Sequence, residues 1–181
     1  MPHPLSWLAP MHRRAAFGVL LVATLAVFAA ISALDAPLRT AAAPNGIVSF
    51  ELAGSPEQAQ AILASWDASA RIAAGLSLGA DYLFMVLYAL TIGLGCVLVG
   101  ERLGGAPARL GVVLAWGQVL AAGLDAVENW ALIRWLLGSR AGFWPSLAAG
   151  CATVKFALVG LGLAFVLVGA MVLLLRRRPM A

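Results

Sequence analysis

Four stretches of the chain, at about residues 15–34, 74–99, 110–137 and 146–175, are each apolar for long enough to cross a bilayer. The hydrocarbon layer is about 30 Å thick and takes roughly 20 helical residues to span. No water is available there, so a backbone that enters must satisfy its own N–H and C=O groups, as a helix does. The last two stretches exceed the required length and are expected to tilt or project. Composition agrees: 62% of the 181 residues are hydrophobic and 11% charged, against roughly 45–50% and about 25% in soluble domains. A water-facing surface cannot be made from such a set. The reading is an all-α integral membrane protein, one membrane domain over residues 1–181. It is a four-transmembrane-helix bundle with a small extracytoplasmic segment between helices 1 and 2. A cytosolic enzyme, a disordered chain and a nucleic-acid binder are excluded, and the net charge of +4 falls at the expected membrane edges.

Arg13 and Arg14 precede the first stretch, and Ala30, Ser32 and Ala33 near its end have the small side chains of a cleavage site. Its apolar run is longer than the roughly 7–15 residues of a removable signal, so an uncleaved signal-anchor is expected. With four alternating helices, Arg13, Arg14, Arg102, Arg109 and Arg176 to Arg178 fall on one side, and Arg39, Arg71 and Arg140 on the other. Positive residues favour the cytoplasm. Both termini are therefore expected there, with residues 35–73 outside.

In that external segment Asn45-Gly46 is a turn signal, and residues 47–52 alternate partly like a short strand. Ser55-Pro56-Glu57 reads as a helix start, with a cap, a first-turn proline and an acid near the dipole. Ile62, Leu63, Trp66 and Ala70 then share a face. Two readings stay open: a cap packed on the helix ends, or an amphipathic helix in the outer interface anchored by Trp66.

Ionisable residues inside a bilayer are costly and call for a reason. Asp81 lies in the second stretch, Asp125 and Glu128 in the third and Lys155 in the fourth, with Asn129 beside them. Counted from the outer helix ends at 1.5 Å per residue, they share a layer roughly 10–20 Å deep. Asp125, Glu128, Asn129 and Leu132 follow helical spacing, with Gln118 on the same stripe. Ser77, Asp81, Met85 and Tyr88 form a second stripe, and Cys151, Lys155, Val159 and Gly162 a third. The expected polar core is therefore Asp81, Tyr88, Asp125, Glu128, Asn129 and Lys155, with Arg134 and Trp130 or Trp135 at the interface. Three carboxylates against one lysine leave an excess of acid that needs a proton or a cation. A structural ion-pair network, a ligand or proton site, and a cation site all remain open.

His3 and His12 precede the first stretch, so no imidazole is expected at membrane depth, and no haem or histidine-bound zinc with it. Cys96 and Cys151 fall toward opposite faces and are expected to be unbridged. No cofactor or metal is expected, and no catalytic residue is assigned. Gly75/Gly79, Ala89/Gly93 and Gly160/Ala164 have the spacing of close helix contacts.

The run Leu124-Asp125-Ala126-Val127-Glu128-Asn129-Trp130-Ala131-Leu132, followed by Val154-Lys155-Phe156-Ala157-Leu158, resembles a family of small four-helix bacterial integral membrane proteins with no assigned activity. The resemblance covers helices 2 to 4. It implies the fold and the importance of the Asp/Glu/Asn and Lys positions. The functional expectation is an outer-leaflet polar site for a lipid or other amphiphile, or an accessory subunit of a membrane complex, with other subunits or further copies as partners. The alternatives are a small membrane enzyme using a buried carboxylate as acid/base, and a proton- or cation-coupled transporter.

Overall fold

A computed structural model describes residues 2–176, and among them every regular element is helical. The elements are α1 (Arg13–Leu34), α2 (Ile47–Glu51), α3 (Pro56–Ser65), α4 (Ala68–Leu103), α5 (Gly105–Leu136) and α6 (Phe143–Arg176). Four of them, α1 extended back to Pro10, α4, α5 and α6, are long and apolar enough to cross a membrane. Arg177 and Arg178, counted in the orientation argument, lie outside the described residues.

The expected boundaries shift outward. Helix α4 begins at Ala68 and not near residue 74, because the Asp67 carboxylate accepts the Ala70 N–H at 2.8 Å and caps the helix ahead of its apolar run. Gly104, at φ +73°, turns the chain from α4 into α5 in a conformation that suits glycine.

The chain forms two compact units. The first takes residues up to Thr24, Val86–Ala122 and the residues from Phe156 onward. Here α4 and α5 meet closely at Gly100 and Gly111, where any Cβ would press on the facing backbone. Cys96 is buried and unbridged, its thiol 3.7 Å from the Gly162 carbonyl. Gln118 is fully buried and donates to the Leu158 carbonyl at 3.0 Å, tying α5 to α6.

The second unit comprises Leu25–Met85 and Gly123–Lys155. Its core is Leu38, Phe50, Ile62, Leu63, Trp66, Leu78, Leu132 and Trp135. Helix α3 begins where the sequence indicates: Ser55 Oγ accepts the Gln58 N–H at 3.3 Å, with Pro56 behind it. The backbone N–H of Glu57 and the Ser55 hydroxyl hold the Glu57 carboxyl below its usual range. Trp66 is not an interfacial anchor. It is buried, its indole N–H donates to the Leu38 carbonyl at 2.9 Å, and its ring meets Phe50 edge-on. Of the two belt candidates, Trp130 is exposed while Trp135 is buried with Arg140 stacked on its ring.

The strand-like piece at residues 47–52 is a helix. A single strand with no neighbour would leave its ladder groups unpaired. Instead, Asp35 Oδ1 accepts the Ile47 N–H at 2.8 Å, and Gly46, at φ +58°, brings the chain against that carboxylate. Ile47, Phe50 and Glu51 are then the buried residues of α2, a helical spacing and not an alternating one.

Candidate functional site

The charge layer expected from the helix stripes is assembled in the second unit. Lys155 of α6 places Nζ 2.8 Å from Asp125 Oδ1, and 2.9 Å from both carboxylate oxygens of Glu128 on α5. The ammonium donates charge-assisted hydrogen bonds to Asp125 Oδ1 and Glu128 Oε1, while Glu128 Oε2 stays at ion-pair distance without a hydrogen bond among the described residues. Asp125, Glu128 and Lys155 expose 2%, 0% and 5% of their surfaces, so water does not screen them.

Asp81 is on the edge of this group. Asn129 Nδ2 donates to its Oδ2 at 2.7 Å. The Asn129 carboxamide oxygen is buried without a hydrogen-bond partner among the described residues. One residue along, Tyr82 donates its hydroxyl to the Ala126 carbonyl at 3.2 Å and fastens α4 to α5. Tyr88 is buried too, but it lies beyond Met85 and belongs to the first unit.

The residue that sequence reasoning missed is Glu51. It ends α2 in the segment between α1 and α4, yet it is 7% exposed, with Oε2 3.8 Å from Lys155 Nζ. Burial raises the Glu51 carboxyl above its ordinary value of 4.5; Asp125 and Asp35 push the same way, and the Lys155 ammonium opposes them. The signal was available. In helical register Ile47, Phe50 and Glu51 share one face, and an acid on the apolar face of a short helix needs a partner.

The arrangement has definite chemistry. Three carboxyl groups, those of Glu51, Asp125 and Glu128, gather around the single Lys155 ammonium, which leaves acid in excess. Among the described residues no three His, Cys, Asp or Glu side chains are arranged to hold a metal ion. The lysine ammonium sits at the centre that a cation would take.

Beside this cluster the second unit has an open cleft of about 460 Å³. Phe28 and Ile31 of α1 and Ile47 and Val48 of α2 form its apolar walls, with Asp35, Arg39 and Asn45 at its polar part. Arg39 Nε donates to Asp35 Oδ2 at 3.0 Å, so both signs of charge are present. No family model, no curated protein and no solved structure matches the chain.

Proposed function

We propose that this chain is a multi-pass protein of a bacterial inner membrane, with cytoplasmic termini, that holds an amphiphile in the cleft between α1 and α2. The single observation that carries the reading is the double role of α2. Its Ile47 and Val48 wall the cleft, and its Glu51 is paired with Lys155. Cleft size suits a small ligand or one tail of a lipid. Asp35 and Arg39 offer a pair of charges to a polar or zwitterionic head. On this reading the charge cluster is the clamp that holds one wall of the site, and the ligand does not enter it. The closure of the cluster weighs against an acid/base enzyme and against a transport path through Lys155.

The test is native mass spectrometry of the full chain purified in mild detergent. Wild type should carry one amphiphile, and Val48→Trp, which fills the cleft, should lose it. Equal retention by both would sink the proposal. A second reading, an accessory subunit, draws support from α1: of its 22 residues only Arg13 is buried. Cysteines at Val19 and Val22, both strongly exposed, should cross-link to a second copy or another subunit if that face is covered by protein.

A further inference from the structure

The first unit has its own charged feature, separate from the cleft just described. Arg13 is buried and spoken for: its Nη1 meets Glu101 Oε1 at 2.6 Å and its Nε donates to the Leu8 carbonyl at 3.1 Å. That pair brings the start of α1 and the end of α4 together. The next residue on each helix, Arg14 and Arg102, has no acidic partner among the described residues, and both line one groove.

Below the arginines the groove is apolar. Phe17 of α1, Leu98 of α4 and Ala170 and Leu173 of α6 line it, and its volume is about 360 Å³. From Arg102 to Gly95 at its depth is seven residues of helix, roughly 10 Å. Two uncompensated guanidiniums at the rim of an apolar slot match a ligand with an anionic head and a hydrocarbon tail. Guanidinium forks suit phosphate oxygens in particular. A head with net negative charge complements both arginines, whereas a zwitterionic head brings an ammonium that they repel.

We propose that this groove binds one anionic phospholipid, its phosphate held between Arg14 and Arg102 and an acyl chain lying along Phe17, Leu98 and Ala170. The site is independent of the α1–α2 cleft, and neither reading needs the other. Arg109 provides the internal comparison: it lines a different cleft, with Val112, Val113 and Trp116, and no second arginine joins it there.

The experiment is native mass spectrometry of the full chain released from micelles of equimolar phosphatidylglycerol and phosphatidylcholine. Wild type should retain one phosphatidylglycerol with a preference of roughly 30-fold, the equivalent of about 1 kcal/mol for each arginine at 1.4 kcal/mol per tenfold. The Arg14→Gln/Arg102→Gln variant should lose the preference, while Arg109→Gln keeps it. Ala170→Trp fills the slot without touching the charge and should lose the lipid as well. Added inorganic phosphate should leave the bound lipid in place. Equal retention of the two lipids by wild type overturns the proposal. So does an unchanged preference in the double arginine variant, an equal loss in Arg109→Gln, or release by inorganic phosphate. Near-native thermal unfolding of these variants, whose arginines are exposed, separates lost binding from lost fold.

Discussion

Lys155→Met is the most informative single change in the polar cluster. It removes the one ammonium from Asp125, Glu128 and Glu51, which lie 2.8, 2.9 and 3.8 Å from it. Orphaning one partner of a buried ion pair costs about 3–5 kcal/mol. In a chain of this size each kcal/mol moves the midpoint by about 2–4 °C. At neutral pH the variant should therefore unfold about 6–20 °C lower in detergent. Asp125→Asn should cost less, because the lysine keeps Glu128 and Glu51. That order reverses the one expected if the lysine had a single carboxylate partner. Glu51 adds a pH signature. Its folded carboxyl titrates above its unfolded value of 4.5, so between those two values the folded state binds more protons, and its contribution to stability declines as pH rises through that window. Glu51→Gln should flatten this decline, and Lys155→Met should steepen it. The double variant Lys155→Met/Glu51→Gln leaves one fewer stranded acid and should be more stable than the sum of the singles, by about 0.5–3 kcal/mol. Additivity of the two substitutions, measured by thermal unfolding at pH 6 and pH 8, would refute the contact between α2 and the lysine.

Trp66→Phe should keep the contact with Phe50 but strand the Leu38 carbonyl, costing about 1–2 kcal/mol in thermal unfolding. In a variant with Trp66 as the only tryptophan, its emission should be blue-shifted and resist both aqueous and shallow lipid-attached quenchers. Gly46→Ala forces a side chain into positive φ and against the Asp35 carboxylate, and should destabilise by at least about 1–3 kcal/mol; a stability equal to wild type would mean that α2 is not capped as described. In intact cells, a membrane-impermeant thiol reagent should label Ser55→Cys and spare Gly104→Cys. The opposite pattern would reverse the proposed orientation.

The long helices and the existence of a charge layer were legible without coordinates, because both follow from local rules. Twenty apolar residues have one economical structure in a bilayer, and helical spacing puts Asp125, Glu128 and Asn129 on one stripe whatever surrounds them. Asp81 and Lys155 were placed in the same layer by counting residues, and the structure joins Asp81 to Asn129 and Lys155 to Asp125 and Glu128. Three features depended on tertiary structure. Residues 47–52 carry a pattern compatible with either a strand or a helix, and a remote carboxylate, Asp35, settles it by capping α2. Trp66 has an amphipathic side chain that suits an interface or a core equally, and the burial of its N–H against Leu38 decides for the core. Glu51 lies outside every apolar stretch, so its place beside Lys155 depends on the path of the chain between α1 and α4. Periodicity reports which face of a helix a residue occupies. It carries no information on what a loop brings to that face, and here the loop supplies the fourth carboxyl of the cluster.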